Sequence, residues 1–326
     1  MRSTSDLVQL LRDVEQLAPV DQLLVDGVPV WVILRTYAAI RLRQLHPEQM
    51  TSSRQPRWFR KWMAERELPA MDMAEDHYNS VKGAEFLTIG YPWQRTEEFN
   101  GHPFNPTLDP LHELFEPRKG LHLEVAFSKE KLAEEFFTPT LSLLSRLERA
   151  RINGPSSRNR WSPEVFRWCH GMVELFDDAY FHTENVANWL DLVLASEQVF
   201  AELYSETGAE VIIMDGFGDP VQFGAIRQAH LQGIPAVSIQ HRRADSWETS
   251  IFDWRHIPDA AYIYLPDVFW HPDEQAVKAS ERLFSKGMTR HLLAGDPWQQ
   301  FINREAPKTM PVDEWHALWE RTVVRD

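Results

Sequence analysis

Leu7, Leu10, Leu11, Val14 and Leu17 recur at helical spacing, which predicts an amphipathic helix over residues 5–17. Asp26-Gly27 marks a turn, and the run from Trp31 to Leu45 places Ile33, Tyr37 and Ile40 on one face, so a second helix is expected there. Residues 51–80 read as a connector. A short apolar run at 85–89 predicts a strand that leaves through Gly90-Tyr91-Pro92. The stretch FNGHPFNPTLDPLHELFEP is rich in Asn, Pro and Gly and is expected to be loop, while LHLEVAF alternates like a strand. Residues 129–150 predict a helix with Leu141, Leu144 and Leu147 on one face. After the loop INGPSSRNRWSPE, Ser162-Pro163-Glu164 starts a pair of helices expected at about 163–176 and 183–205.

From Gly208 the rhythm changes. AEVIIMD, IPAVSIQ, DAAYIYL and RHLLAG are short apolar runs that predict buried strands, and PVQFGAIRQAHLQ and HPDEQAVKASERLFSKG between them predict helices. Buried strands alternating with helices imply an α/β fold, a Rossmann-like parallel sheet flanked by helices. The pattern divides the chain into a helical N-terminal segment and connector over 1–80 and an α/β domain over 81–310 with a helical insertion at about 129–205. A C-terminal helix over 311–326 follows.

Charge narrows the partners. The 326 residues carry 34 Lys+Arg against 48 Asp+Glu, a formal charge of −14, which repels a polynucleotide backbone and argues against nucleic-acid binding. The single cysteine, Cys169, excludes an internal disulfide framework and a multi-cysteine zinc site. Asp6, Arg12 and Asp13 interrupt the N-terminal apolar positions, and no apolar run approaches the roughly 18 residues that span a bilayer, so a cytoplasmic protein is expected. One segment departs from the acidic background. Residues 54–62 interleave Arg54, Arg57, Arg60 and Lys61 with Trp58, Phe59 and Trp62, which suits either contact with an anionic membrane at its inner face or a solvated helix with packed aromatics.

Ligands of open parallel sheets sit outside the carboxyl ends of the strands. That rule selects four places: 90–95, 215–219, 240–243 and 295–297. Asp215 and Asp219 are candidates for binding a ligand hydroxyl or acting as a base, with turn and N-cap chemistry as the alternative that Asp219-Pro220 favours. The glycines at 216, 218 and 224 do not match G-x-G-x-x-G, so a dinucleotide fingerprint is absent. His241 follows a predicted buried strand, with Gln240 before it and Arg242 and Arg243 after it. Alone, such a histidine bonds a backbone carbonyl; two adjacent guanidinium forks make the turn an anion site for phosphate or carboxylate. Asp109-Pro110 lies in a polar loop with His102 and Asn105, where Asp109 is either a base toward an acceptor hydroxyl or an Asx-turn residue. Cys169, His170, Asp177, Asp178 and His182 show no recognised metal-ligand spacing, and no metal site is expected. No G-x-S-x-G elbow occurs, so a serine hydrolase has no support.

The string GIPAVSIQH, preceded by AEVIIMD and AIRQAHLQG and followed by Pro258-Asp259 and Gly295-Asp296-Pro297, resembles bacterial GT-B glycosyltransferases of surface-polysaccharide assembly. In those proteins a strand–helix–strand ends in a Gln-His-Gly element. EFLTIGYPWQR with FNPTLDPL is similar to their early strand and loop, where an arginine and an Asp-Pro pair recur, here Arg95 and Asp109-Pro110. The resemblance spans most of the chain diffusely, and Arg242 stands where the family has glycine. It implies an N-terminal domain of GT-B type with helical additions. Its second Rossmann-like domain, the donor-binding half, would be expected to begin near 311–326.

The implied activity is transfer, or assistance in transfer, of a sugar from a nucleotide-activated donor to a glycan or lipid-linked glycan acceptor. The nucleotide sugar is a co-substrate, with no tightly bound cofactor. His241 and Asp109 are the implied catalytic residues, and Gln240, Arg242, Arg243, Arg95, Asp215 and Asp219 the implied substrate-binding ones. Two other readings stand beside it: a non-catalytic acceptor-binding or scaffold module, and a nucleotide-dependent enzyme of another kind on the same sheet.

Overall fold

The computed structural model describes residues 18–45, 82–125, 136–240, 253–285 and 287–302, with positions 9, 12, 13, 15, 317, 319 and 320. The segment 54–62 and His241, Arg242 and Arg243 lie outside the described residues. The helix expected over 5–17 is helical at its four described positions.

A small hairpin, β1 (Leu24–Val25) and β2 (Val28–Pro29), precedes helix α1 (Trp31–Leu45), whose bounds match the sequence expectation. The main sheet begins with β3 (Phe86–Gly90). A second hairpin, β4 (Glu97–Phe99) and β5 (His102–Phe104), leads to the short helix α2 (Asp109–Leu114). Strands β6 (Gly120–Glu124) and β7 (Thr140–Ser142) follow, then helices α3 (Leu144–Asn153), α4 (Pro163–Phe176) and α5 (Thr183–Thr207). The second half runs β8 (Val211–Asp215), α6 (Pro220–Gln232), β9 (Ala236–Ile239), β10 (Val268–His271), α7 (Glu274–Ser280), β11 (Arg290–Leu293) and α8 (Pro297–Ile302).

Seven of these strands form one sheet in the order β11-β10-β9-β8-β3-β6-β7, and every pairing in it is parallel. Numbered by their own succession in the chain, they read 3-2-1-4-5-6-7 from one edge. That is the Rossmann-like arrangement, with the strand order reversing between β3 and β8. No helix among the described residues is long and apolar enough to cross a membrane.

Burial explains the strands. All five residues of β3 are buried, because side chains on both faces are covered. Leu87, Ile89, Leu121, Leu123, Ile212 and Met214 face a core shared with α1, α4, α5 and α6. Phe86, Val211, Ile213, Val237 and Ile239 face the other side, where Leu111, Leu114, Phe115 and Trp319 cover them. Glycines in the left-handed region end the helices before strands: Gly208 (φ 73°) ends α5 and Gly233 (φ 74°) ends α6.

Three expectations fail. DAAYIYL forms a 3-10 turn, Asp259–Tyr264, and the strand is instead Val268–His271. Here tertiary bonds outweigh alternation, since Tyr262 donates to the Trp254 carbonyl and Tyr264 to Glu197. In the stretch 129–150, residues 129–135 lie outside the described ones, Leu141 belongs to strand β7, paired with β6, and helix α3 starts at Leu144. The long polar stretch after Phe99 is not simply loop. Asn100 (φ 52°) and Gly101 (φ 80°) turn a hairpin, the conformation that Asn-Gly favours between paired strands.

Candidate functional site

The strand order reverses between β3 and β8, and at such a point the ligands of open parallel sheets sit outside the carboxyl ends of the strands. Two loops meet there. β3 ends in Gly90 and Tyr91 because a side chain at 90 has no room: a Cβ would lie 2.7 Å from the His122 ring. β8 ends in Asp215, followed by Gly216 (φ 73°) and Gly218 (φ 129°), which bend the chain back to the start of α6. At that start, Asp219 Oδ1 accepts hydrogen bonds from the Val221 and Gln222 amides at 2.8 and 3.1 Å, capping the helix. Its second oxygen, Oδ2, accepts from the Tyr91 hydroxyl, and this bond ties the two loops together.

Burial raises the Asp219 carboxyl from its ordinary value to about 6, against the pull of its three donors. Burial and the neighbouring Asp219 charge push the Tyr91 phenol well above its ordinary value, so it stays a donor. Trp93 stacks on Tyr91 with ring centres 4.2 Å apart and leaves 41% of its surface to solvent.

Gln240 follows β9, the next strand over. Its amide donates to the Trp270 carbonyl at 2.8 Å, and its side chain donates to Ser238 Oγ at 2.7 Å. The Gly216 amide donates to the Ile239 carbonyl at 3.0 Å, so the β8 loop is laced to the β9 end. Asp215, half-buried, closes β8. In the fourth place named by the sheet-edge rule, Asp296 caps α8 through the Trp298 and Gln299 amides at 2.9 and 3.2 Å. That helix packs Phe301 on Phe99 and Phe104 of the β4–β5 hairpin.

Arg95 and Asp109 meet each other in a separate, buried network. Arg95 Nη1 donates to Asp109 Oδ2 at 2.8 Å, while Nε and Nη2 both reach Glu124 at 3.3 Å. The Arg95 side chain is 4% exposed and both carboxylates are essentially inaccessible. Asp109 Oδ2 also accepts from the Asn105 amide at 2.8 Å, and Oδ1 accepts from Thr138 Oγ1 at 2.9 Å. Both oxygens are therefore occupied and shielded from water. Each of the two sequence candidates here has the other as its partner.

The network continues inward. Glu124 pairs with His122 Nε2 at 2.8 Å, and His122 Nδ1 lies 2.9 Å from Thr88 Oγ1. Thr88 Oγ1 in turn lies 3.3 Å from His112 Nε2. Burial alone would raise Glu124, but His122 and Arg95 outweigh it and hold the carboxyl below its ordinary value. Burial, with the charges of His122 and Arg95, drives His112 down to about 3, so it is neutral.

Within 90–95 the sequence reading singled out Arg95 but neither Tyr91 nor Trp93, and it passed over His122 and Glu124. His122 and Glu124 carried a signal: polar residues two apart on one face of an otherwise apolar strand. Tyr91 carried another, as the first residue beyond a buried strand. Cys169 is buried in α4, and burial lifts its thiol to about 12. Among the described residues no cluster of three or more His, Cys, Asp and Glu is arranged to hold a metal ion. Comparison with protein-family models and with curated proteins gives no match.

Proposed function

We propose that the protein is glycosyltransferase-like and binds its substrates in the crevice between β3 and β8. It would transfer, or help transfer, a sugar from a nucleotide-activated donor to a glycan acceptor. The observation that carries this reading is the Tyr91–Asp219 pair at the strand-order reversal, with Trp93 beside it. A half-buried carboxylate poised near 6 and a partly exposed indole are groups that recognise a sugar, by its hydroxyls and by its apolar ring face. The sequence resemblance in GIPAVSIQH supplies the reaction class.

In this reading Asp219 takes the role that the sequence suggested for Asp109. The acceptor hydroxyl gives its proton to Asp219 Oδ2, its oxygen bonds to the sugar's anomeric carbon, and the nucleoside diphosphate leaves with the electron pair of the broken bond. Gln240 leads directly into His241, Arg242 and Arg243, to which the reading assigns the departing phosphate. Asp215 stands next to Gly216 on the same loop and belongs to the substrate-binding side. The reading puts the protein in the cytoplasm, with 54–62 as the segment that meets anionic lipid; sedimentation with anionic vesicles tests that contact.

A second reading is a non-catalytic acceptor-binding module. It is favoured by the mutual engagement of Arg95 and Asp109, which removes both from the substrate-facing groups. Calorimetric titration with nucleotide sugars and with acceptor glycans, separately, decides between the two. Donor binding that Trp93→Ala and Asp219→Asn weaken supports the transferase; acceptor binding without donor binding supports the module. Binding of either ligand that both substitutions leave unchanged removes the crevice from the proposal.

A further inference from the structure

The turn that carries Tyr91 and Trp93 is closed on itself. The Gln94 amide donates to the Tyr91 carbonyl at 2.9 Å, and the Gln94 side-chain oxygen accepts from the Tyr91 amide at 2.9 Å. Pro92 fixes the first position of the turn. Arg95 ends it, its amide donating to the Pro92 carbonyl at 3.3 Å.

The Arg95 side chain anchors this turn from below. Gly90, which precedes it, stands in register with Glu124 on β6, and Arg95 brings the chain back to that same residue. Its Nε and Nη2 meet the two Glu124 oxygens side by side, while Nη1 serves Asp109 and, at 3.2 Å, the Pro103 carbonyl. The guanidinium carbon lies 4.6 Å from the centre of the Phe136 ring. The planar fork thus meets partners on β6, α2 and β5, which fixes its direction as well as its charge. At 4% exposure the side chain is shielded from substrate. What stands at the other end of the turn is not: the Tyr91 hydroxyl reaches Asp219, and Trp93 stacks on the Tyr91 ring. A hydrogen bond weakens steeply once its donor is misaligned, so Tyr91 keeps Asp219 only while the turn is held in place.

We infer that Arg95 is a positioning residue: through its side-on clamp on Glu124 it sets where Tyr91 and Trp93 stand at the carboxyl edge of the sheet. The role this gives Arg95 in ligand binding rests on the glycosyltransferase-like reading, whereas the placement of the turn is measurable without a ligand. Support of this kind, from a rigid group behind the ones that meet the ligand, is what holds a site to its working geometry.

Fluorine NMR of the full chain labelled with 5-fluorotryptophan tests the assignment, with the Trp93 resonance identified by its loss in Trp93→Phe. Arg95→Lys keeps the charge that Glu124 and Asp109 face but not the planar fork. Glu124→Gln, isosteric, removes one of the two acceptors of the clamp. In both variants the Trp93 resonance is expected to shift or broaden, while those of Trp31, Trp168, Trp189 and Trp254, buried in the core on the helical face, stay in place. A nucleotide sugar or glycan that Trp93→Ala weakens should bind Arg95→Lys about tenfold more weakly than the parent, the scale of one lost hydrogen bond. A Trp93 resonance unmoved in either folded variant overturns the assignment. So does movement of the four core resonances along with it, which marks a role in the fold at large, and so does unchanged affinity in Arg95→Lys for a ligand that depends on Trp93. Movement confined to Trp93 in a parent that binds no nucleotide sugar or glycan upholds the positioning of the turn and removes the glycosyltransferase-like reading instead.

Discussion

Asp219 and Asp109 are both carboxylates in Asp-Pro pairs, and their surroundings give them different chemistry. Asp219 has a value of about 6, raised above the roughly 4 of an unfolded aspartate. A raised folded-state value stabilises the protein fully below pH 4, and that contribution is lost as pH rises through 6. Asp219→Asn keeps a cap oxygen for α6 but cannot titrate. Urea midpoints measured from pH 4 to 7 should therefore fall less with rising pH in the variant than in the parent. Equal slopes would show that Asp219 is not perturbed. Glu124 runs the other way: its lowered value gives stability that is present above the ordinary carboxylate range and is lost as pH falls from that range through the lowered value. Arg95 stands between Glu124 and Asp109, so Arg95→Met strands two buried carboxylates, and a loss of about 3–5 kcal/mol is expected from denaturant unfolding. Asp109→Asn should cost less, because Arg95 keeps Glu124. Lost ligand binding at unchanged stability in Asp109→Asn would place Asp109 at the substrate instead.

At the scale of elements, the sequence was most readable where one local rule acted alone. Trp31–Leu45, Pro163–Phe176 and Pro220–Gln232 follow from apolar period, an Asp or Ser before a proline, and a closing Gly233. The strands β3, β6, β8 and β9 were legible because both their faces are buried and their apolar runs are short. The failures share one cause: a partner distant in sequence. Tyr264 is drawn off a strand path by Glu197 on α5, and Leu141 is claimed by the edge of β6. The crevice was legible as a rule about strand ends, while the identity of its pair was not. Tyr91 and Asp219 are 128 positions apart, and only the strand order brings them together. Gly90 shows how closely β3 and β6 are fitted beneath that crevice. Gly90→Ala would place a methyl 2.7 Å from the His122 ring, displacing the imidazole from Thr88 or Glu124. A loss of about 1–3 kcal/mol is expected in thermal or urea unfolding, and an unchanged midpoint would mean that His122 has freedom the packing denies.

For the molecule as a whole, the two faces of the sheet are covered unequally. One carries the long helices α1, α4, α5 and α6; the other carries the short α2 and a return of the chain at Trp319. That indole is 2% exposed, lies edge-on to Phe86 and Phe115 at 5.8 and 5.2 Å, and has the Arg118 guanidinium over it at 4.3 Å. It packs on the first strand of the sheet although it stands more than two hundred residues further along the chain. Trp319 therefore covers the α/β sheet itself. Trp319→Ala opens a cavity against Phe86 and should cost about 3–5 kcal/mol, read from the urea midpoint. The substitution lies on β3 and α2, on the sheet face rather than at the carboxyl end where Tyr91 meets Asp219. Ligand affinity at the crevice, measured where the variant is still folded, should stay within about twofold of the parent, the range ordinary for distant, independent sites. Weakened affinity in a folded Trp319→Ala protein would mean that the covering of β3 sets the position of Tyr91.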